Sequence, residues 1–309
     1  MSGASAPAPR SWLFVPGDSE RKQARALTTA ADALILDLED SVDPAQLPAA
    51  RARIRALLRA HAAGQGPQLW VRINAPQTAL WREDLAAVMG ERAPEGIVLP
   101  KISSPAELTA VAERLAALEQ EHGLHAGSVA LLVIATETPR GLLALSQYPQ
   151  ALDAAPAAAA RLTGLTWGAE DLSAALGAAG KRDAGGALTF TFALARTTCL
   201  LTAAALGVAA IDGVQVDFRD GAALARELAE ARRDGFSGKL AIHPDQVGPI
   251  NAAFTPNEQE RAHAQRVMAA FAAAGGAGVA SLDGQMIDRP HLLQAQRVLA
   301  TRRARGGSS

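Results

Sequence analysis

The sequence predicts a (β/α)8 barrel, because short apolar runs alternate with helical patterns eight times along the chain. Each run is typical of a parallel strand buried on both faces, and polar or Gly/Pro turns separate the runs from the helices. The strand-like runs are residues 12–15, 33–38, 69–73, 96–99, 130–135, 162–167, 210–214 and 239–242. A doubly wound sheet is the alternative, but it usually needs fewer strands at this length.

Segments rich in Ala, Leu and Arg lie between these runs and have helical periodicity. They cover residues 19–31, 44–62, 79–89, 105–122, 141–148, 190–206, 221–234 and 244–254. Residues 256–274 predict one more helix, and the glycine-rich residues 275–278 predict a flexible break. A last helix is expected from about His291 within residues 281–305.

These elements predict three parts of the chain. Residues 1–9 are rich in Ala, Pro and Ser and predict a disordered tail, since they lack the basic start and apolar core of a signal peptide. Residues 10–274 form the expected catalytic barrel. Residues 275–309 lie outside the eight units, so we expect a C-terminal arm that serves as a lid or in oligomerisation.

Composition excludes several classes of protein. The chain has 309 residues, of which 49% are apolar and 20% charged, so it can bury a large core. A net charge of −1 favours neither nucleic acid nor an anionic membrane. The lone Cys199 excludes a disulfide framework, and no apolar stretch is long enough to span a membrane. We expect a cytoplasmic protein.

Glu137 and Asp171 each follow an apolar run, and they predict a metal site. Carboxyl ends of successive barrel strands converge on one face, where two carboxylates can hold a hard divalent cation. Carboxylates without His or Cys favour Mg²⁺, with Mn²⁺ as the substitute, over Zn²⁺. The alternative is that each carboxylate caps the helix that follows its strand.

Acidic and basic residues end three other strands. Asp37-Leu-Glu39-Asp40 closes the second strand. It is either a solvated acidic turn or a segment that places Glu39 or Asp40 near the cation, where the carboxylate would hold the water ligands of the metal. Arg72 ends the third strand and is either a structural ion-pair partner or a donor to a substrate oxyanion. Lys101 follows the fourth strand with the same two alternatives.

The first βα turn carries cations that can bind phosphate. Pro16-Gly17 leads into a helix with Arg21, Lys22 and Arg25, although such a cluster alone is more typical of a solvated helix face. His243 follows the eighth strand, where a general base and a packing role are both open. The other histidines show no metal-ligand spacing.

Taken in order, these motifs resemble the citrate lyase β-subunit-like branch of the HpcH/HpaI aldolase superfamily, the CoA-ester lyases. Nine motifs carry the resemblance from Arg10 to about Leu299. They are Arg10-Ser-Trp-Leu-Phe-Val-Pro-Gly17, Leu36-Asp-Leu-Glu-Asp-Ser-Val42, Val71-Arg-Ile-Asn74, Leu99-Pro-Lys101, Thr136-Glu137, Gly168-Ala-Glu-Asp171, Gly235-Phe-Ser-Gly-Lys239, Ile242-His-Pro244 and Gly284-Gln-Met-Ile-Asp288.

The resemblance implies a TIM barrel with Mg²⁺ on Glu137 and Asp171 and with Arg72 at the substrate. It implies that Arg10, Phe14 and Arg25 contact CoA. It also implies a homotrimer or hexamer in which the C-terminal arm of one subunit delivers Asp288 to the active site of the next.

The reaction implied is the cleavage, or formation, of a carbon–carbon bond in a 3-hydroxy-carboxyacyl thioester such as malyl-, citramalyl- or citryl-CoA. The products are acetyl-CoA and a 2-keto acid, with Arg72 stabilising oxyanion charge and Asp288 exchanging a proton with the thioester methyl carbon. Ser19 stands where some malyl-CoA lyases carry another phosphate-binding arginine, and the loop after Asp171 is short, so the acyl group stays open. Two alternatives are a malyl-CoA thioesterase and a citrate lyase subunit that acts on an acyl-carrier protein.

Overall fold

The barrel predicted from the alternating pattern is present. The computed structural model describes residues 8–61, 64, 66–275 and 278–301. Eight parallel strands form a closed barrel in chain order. They are β1 (Ser11–Pro16), β2 (Ala33–Asp37), β3 (Gln68–Arg72), β4 (Gly96–Leu99), β5 (Ala130–Ile134), β6 (Leu162–Thr166), β7 (Ala209–Asp212) and β8 (Gly238–Ala241).

Helices connect these strands in the manner expected of a (β/α)8 barrel. They are α1 (Glu20–Leu27), α2 (Leu47–Ala60), α3 (Leu80–Val88), α4 (Pro105–Glu121), α5 (Pro139–Ala144), α6 (Tyr148–Asp153), α7 (Pro156–Ala159), α8 (Ala169–Leu176), α9 (Phe190–Leu206), α10 (Gly221–Asp234) and α11 (Val247–Ala253). Short 3-10 turns cover Pro44–Gln46, Leu145–Gln147 and Pro244–Gln246.

Two helical segments differ from the sequence-based prediction. The single helix expected at 141–148 is α5, a 3-10 turn and the start of α6, and prolines stand in the first turn of α5, α6 and α7. Proline lacks the N–H of a helix interior, so each one favours a new helix start. The pattern also missed α8, which begins two residues before Asp171.

The interior of the barrel is filled by alternate residues of the strands. Trp12 and Trp70 meet edge to face, with 4.9 Å between ring centroids, and they are packed with aliphatic side chains from β2, β4, β5, β7 and β8. Aromatic pairs of this geometry add to the free energy of burial. A filled interior keeps the strand ends fixed relative to one another, which is what a site built from several strands requires.

A buried ion pair stabilises the barrel wall away from the strand ends. Glu119 of α4 accepts hydrogen bonds from Arg161 Nη1 and Nη2 at 2.7 and 2.6 Å, and from the N–H groups of Gly127 and Val129 at 2.8 and 3.0 Å. Burial alone raises the pKa of Glu119, but these donors and the charge of Arg161 outweigh it and lower the pKa to about 2.

Glu119→Gln is expected to lower the free energy of unfolding by about 3 kcal/mol at neutral pH, because it leaves the Arg161 charge buried without its partner. Since folding lowers this pKa from 4.5, the contribution is complete above pH 4.5 and is lost as pH falls toward 2. Urea unfolding of both proteins between pH 7 and 3 measures the difference, which should shrink below pH 4.5. The exposed Glu113→Gln on the same helix is the control; an equal effect of both substitutions would contradict the assignment.

The residues from Asn251 onward form a second compact unit. It contains α12 (Glu258–Ala273), β9 (Val279–Leu282), β10 (Gln285–Asp288) and α13 (Arg289–Ala300). Its core consists of small and aliphatic side chains and one Phe, namely Ala264, Val267, Phe271, Ile287 and Ala295.

The antiparallel β9–β10 hairpin was not predicted. Asp283 and Gly284 form its turn with φ values of 53° and 78°, the left-handed conformation that an Asp-Gly hairpin turn requires. That dipeptide was a usable signal, but the strands on either side are short and largely exposed, so they carry little apolar alternation.

The second unit also begins earlier than the predicted boundary at 274/275. Helix α12, expected in the barrel domain, packs on α13 and β9 instead. Residues 1–7 of the predicted tail, residues 276 and 277 of the predicted break, and residues 302–309 lie outside the described residues. In the part of the chain that is described, no helix is long and apolar enough to cross a membrane. The cytoplasmic location stays a prediction.

Candidate active site

A cavity of about 870 Å³ lies at the carboxyl ends of the barrel strands. Pro16, Asp37 and Arg72 are the last residues of β1, β2 and β3, and all three line it. Glu137 and Asp171, which follow β5 and β6, complete the acidic part of its wall. Active sites of (β/α)8 barrels lie on this face, so the cavity is the candidate active site.

Asp37, on the neighbouring strand β2, holds Arg72 in the cavity wall. Asp37 and Arg72 are register neighbours on β2 and β3. Arg72 Nε and Nη2 donate to the two Asp37 carboxylate oxygens at 2.7 and 2.8 Å, and the guanidinium lies 4.9 Å from the centre of the Phe14 ring. Burial alone raises the pKa of Asp37, but the paired guanidinium outweighs it and lowers the pKa. The third guanidinium nitrogen, Nη1, lies 3.0 Å from Glu39 Oε2 and donates to Asp40 Oδ2 at 3.4 Å.

Glu137 is buried beside this arginine. Its Oε2 accepts a hydrogen bond of 2.5 Å from the backbone N–H of Lys101, and only 4% of the residue is exposed. Burial raises the pKa of Glu137 well above its ordinary value, and the charges of Glu39 and Asp171 act in the same direction. The Lys101 N–H and Arg72 only partly oppose this rise.

Gly168 leaves the space that the Glu137 side chain occupies. A methyl group on Gly168 would lie 2.5 Å from Glu137 Cγ, well inside van der Waals contact. The glycine of the Gly168-Ala-Glu-Asp171 motif therefore sets the position of a carboxylate that follows the neighbouring strand. The sequence contained this signal only as a motif, because the contact depends on the packing of β5 against β6.

Neither Glu137 nor Asp171 caps a helix, which was the alternative role for both. Thr138 caps α5, and its Oγ1 accepts a hydrogen bond from the N–H of Gly141 at 2.9 Å. Gly168 occupies the N-cap position of α8, so Asp171 lies inside the first turn of that helix. An acid in a first turn is favoured by the helix dipole, yet its carboxylate still lines the cavity.

The Lys101 ammonium lies among acidic side chains that follow the barrel strands. Its Nζ donates to Glu39 Oε1 at 2.5 Å and to Asp40 Oδ1 at 2.8 Å, and it lies 3.5 Å from Asp171 Oδ1. Asp40 lines the cavity, and Glu39 lies beside it through their shared contact with Lys101. Burial raises the pKa of Glu39 to about 7, even though Arg72 and Lys101 oppose the rise.

The residues present fit a divalent cation with few protein ligands. Five carboxyl groups (Asp37, Glu39, Asp40, Glu137 and Asp171) cluster with two cations (Arg72 and Lys101), so the carboxyl groups outnumber the cations that contact them. Glu39 Oε2 is buried and, although 3.0 Å from Arg72 Nη1, receives no aligned hydrogen bond within the described chain. No group of three or more His, Cys, Asp or Glu side chains among those residues forms a complete metal cage. Mg²⁺ accepts two carboxylates when water or substrate supplies its other oxygens.

The residues expected to contact CoA divide into two groups. Phe14 and Arg25 line the cavity, as do Arg21 and Lys22 of α1, and their contact with CoA stays a prediction. His243 lies in the wall as well, stacked on Phe218 with 4.3 Å between ring centroids, and Asp245 N–H donates to its Nδ1 at 3.3 Å.

Arg10 does not lie with them, and the expectation for this residue is corrected. It precedes β1 and therefore stands at the amino end of the barrel, opposite the cavity. It is buried, and its Nε and Nη2 donate to the Asp32 carboxylate at 2.7 and 3.0 Å. Arg10 closes the bottom of the barrel by an ion pair between the residues that lead into β1 and β2.

Asp288, the expected acid/base, belongs to the second compact unit. It ends β10 and precedes α13, and the His291 ring lies against it, with 2.6 Å between His291 Nδ1 and Asp288 Oδ1. The side chain is half exposed.

Known proteins are similar in sequence to this chain over most of its length. Residues 10–244 match the model of the HpcH/HpaI aldolase/citrate lyase family. A (3S)-malyl-CoA thioesterase of Cereibacter sphaeroides is 35% identical over 94% of this chain and 93% of its own. The mitochondrial citramalyl-CoA lyase of Homo sapiens is 33% identical over 93% of this chain and 83% of its own.

A solved structure also resembles this chain. It is protein CitE from Mycobacterium tuberculosis in complex with magnesium, acetoacetate and coenzyme A, with a TM-score of 0.71 and 36% identity over 96% of this chain and 97% of that one. The family match and these relatives together identify the chain as a member of the HpcH/HpaI aldolase/citrate lyase family, in its citrate lyase β-subunit-like group.

Proposed function

We propose that this protein is a Mg²⁺-dependent lyase that cleaves or forms a carbon–carbon bond in a 3-hydroxy-carboxyacyl thioester of CoA. The products of cleavage are acetyl-CoA and a 2-keto acid. The observation that carries the proposal is the cavity wall in which Arg72, anchored on Asp37, stands beside Glu137 and Asp171. The human citramalyl-CoA lyase and the magnesium and coenzyme A bound to the mycobacterial relative support it.

Glu137 and Asp171 would hold the cation, and Glu39 and Asp40 would hold its water ligands. Bound there, Mg²⁺ supplies a Lewis acid and a template for the oxygens of the acyl group. Arg72 Nη1 donates to the oxygen on which negative charge develops, and the Asp37 carboxylate keeps the guanidinium in place during the reaction. Phe14 packs beneath that guanidinium, while Arg25 at the cavity rim contacts the CoA phosphates.

Cleavage breaks the bond between the carbinol carbon and the carbon next to the thioester. The carbinol hydroxyl gives its proton to solvent and becomes the carbonyl of the keto acid, and the electron pair of the broken bond forms the acetyl-CoA enolate. Asp288 gives that enolate its proton at the methyl carbon, and in the reverse direction removes it.

A product screen of the purified protein tests the reaction. Malyl-CoA, citramalyl-CoA and a citryl thioester, the last presented both on CoA and on an acyl-carrier protein, are each incubated with Mg²⁺. The lyase proposal expects acetyl-thioester and keto acid in equal amounts from at least one substrate. Turnover of the carrier-protein thioester alone would identify a citrate lyase subunit instead.

A thioesterase is the second candidate, because the Cereibacter relative is a (3S)-malyl-CoA thioesterase at 35% identity. Hydrolysis uses the same cation and the same acyl group but breaks the carbon–sulfur bond. Free CoA and malate, formed without keto acid, would favour this activity over the lyase.

Asp288→Asn is expected to reduce kcat by about 10²-fold or more while leaving substrate and Mg²⁺ binding intact, because only proton transfer is damaged. Asn serves as well as Asp at a helix N-cap, so α13 should keep its start. Calorimetric titration with substrate and single-turnover kinetics measure the two effects separately.

We further propose that Asp288 acts on the active site of a neighbouring subunit. Co-refolding Asp288→Asn with Glu137→Gln should then restore part of the activity, since some interfaces pair two intact groups. Mixed oligomers that are verified by native mass spectrometry and remain inactive would rule out action between subunits.

Action between subunits requires an oligomer, and we propose a homotrimer or a hexamer built from two trimers. Phe190, Leu194 and Leu201 lie on one face of α9 and are 79%, 48% and 63% exposed, and Leu143 on the adjoining α5 is 78% exposed. An exposed apolar patch of this kind supports a subunit interface. Light scattering coupled to size exclusion measures the mass of the assembly, and a monomer at all concentrations would contradict it.

A further inference from the structure

Lys101 contacts both residues that the proposed function assigns to the metal. Its backbone N–H donates to Glu137 Oε2 at 2.5 Å, and its ammonium lies 3.5 Å from Asp171 Oδ1. The same ammonium also pairs with Glu39 at 2.5 Å and Asp40 at 2.8 Å. One residue therefore joins all four acids that would surround the cation.

The backbone of Lys101 is held in an unusual conformation to make these contacts. Its φ angle is 52°, a left-handed value that side-chain-bearing residues adopt rarely and at some cost in energy. A strained backbone angle persists where surrounding contacts hold the residue in that conformation. Here the positive φ of Lys101 directs its N–H to Glu137 and its side chain to Glu39, Asp40 and Asp171.

We propose that Lys101 is the built-in countercation of this site, and that its ammonium leaves Asp171 when a divalent cation binds. The inference rests on the metal site of the proposed function, and it concerns how Lys101 sets the affinity of that site for the divalent cation. The ammonium neutralises the acidic wall before metal arrives, and a divalent ion bound to Asp171 would stand within a few ångströms of it. Two like charges that close repel strongly in a partly buried site.

Lys101 thus lowers metal affinity, because its ion pairs must be broken or rearranged before the cation binds. Each partly exposed ion pair of Lys101 lowers the affinity for the divalent cation by a factor of a few. Removing the ammonium should then tighten Mg²⁺ binding by about tenfold, while the Lys101 N–H continues to orient Glu137.

Two substitutions separate the ammonium from the backbone. Lys101→Gly removes the side chain and suits the positive φ, so it keeps the N–H and relieves the strain. Lys101→Met keeps the aliphatic side chain without the charge. Lys181→Met is the matched control, because Lys181 pairs with the nearby Glu170 and its side chain is 27% exposed, against 25% for Lys101.

Isothermal titration of the metal-free proteins with MgCl₂ measures affinity without turnover. Both Lys101 variants should bind Mg²⁺ about tenfold more tightly than wild type, and Lys181→Met should match wild type. Equal dissociation constants in wild type and both Lys101 variants would overturn the inference but leave the metal site standing. No Mg²⁺ binding by any of these proteins would overturn the metal site and, with it, the inference.

Amine labelling of the wild-type protein provides a second measurement that needs no variant of Lys101. An acylating reagent followed by peptide mass spectrometry gives the labelling rate at Lys101 with and without saturating Mg²⁺. The rate should rise several-fold with Mg²⁺, because the ammonium loses an ion-pair partner, and Glu137→Gln should abolish the rise. A rate at Lys101 that does not change on metal binding would show that the ammonium stays in place and would overturn the proposal.

Discussion

We expect Glu137→Gln and Asp171→Asn each to abolish turnover and to weaken Mg²⁺ binding by at least about 10²-fold. Each substitution removes one of the two carboxyl groups proposed to bind the cation while preserving the size of the side chain. In Glu137→Gln, the oxygen of the new side-chain amide can still accept the hydrogen bond from the Lys101 N–H, so the local structure should persist.

The fold should survive Glu137→Gln, and the metal-free variant should be at least as stable as wild type. Burial and the neighbouring acids raise the pKa of Glu137 in the folded state. A carboxyl group with a raised pKa destabilises the folded protein once pH exceeds its unfolded value, so the neutral amide removes a cost at neutral pH.

Thermal unfolding in EDTA and in MgCl₂ distinguishes the roles of this residue. Wild type should gain Tm on adding Mg²⁺, and Glu137→Gln should not. Glu170→Gln, which removes the acid adjacent to Asp171, is the control and should keep the Mg²⁺-dependent gain. Near wild-type activity of Glu137→Gln or Asp171→Asn at limiting Mg²⁺ would show that the assignment is wrong.

The second large effect is expected for Arg72→Lys, which should reduce kcat/KM by on the order of 10²-fold or more. The guanidinium uses Nε and Nη2 to hold Asp37, and the same planar group places Nη1 3.0 Å from Glu39 Oε2 and 3.4 Å from Asp40 Oδ2. A lysine ammonium keeps the charge but cannot grip two oxygens of Asp37 and donate to a substrate oxygen in a defined direction.

Asp37→Asn tests whether the ion pair between Asp37 and Arg72 is needed for catalysis. It preserves the shape of the partner while removing the charge that holds the guanidinium, so kcat should fall, with a smaller change in Mg²⁺ affinity. Circular dichroism and thermal unfolding of both variants show whether the barrel remains intact. A folded Arg72→Lys protein with unchanged kcat/KM would leave Arg72 as a structural partner of Asp37 alone.

The fold and two candidate ligands followed from local patterns in the sequence. Strands of a closed parallel barrel are buried on both faces, so each one becomes a short apolar run that is visible without knowing its neighbours. Glu137 and Asp171 come soon after two such runs, and all strands of the barrel end on one face. The division of the segment after β5 into several helices and the β9–β10 hairpin were not predicted. Hydrophobic periodicity was the main signal used, and proline spacing and a single Asp-Gly turn do not change that periodicity.

Strand polarity would have placed Arg10 correctly, since a residue before β1 lies at the amino end of the barrel and away from the cavity. The choice of Asp37 as the partner of Arg72 required more, namely the register of β2 against β3. Within Asp37-Leu-Glu39-Asp40 all three acids are candidates by charge and position along the chain, and all three contact Arg72, but only Asp37 is its register neighbour and binds it through both carboxylate oxygens.

Sequence alone therefore determined the barrel, the face that carries the site and the residue types available there. Only the tertiary structure decided which acid binds Arg72 through two oxygens, which helix contains Asp171, and where the Lys101 ammonium lies. Apolar periodicity is a local property, since it depends on which faces of an element are buried. The pairing of charges depends on register, backbone angles and packing between elements distant in the chain, because several oppositely charged groups compete for each partner over distances of a few ångströms.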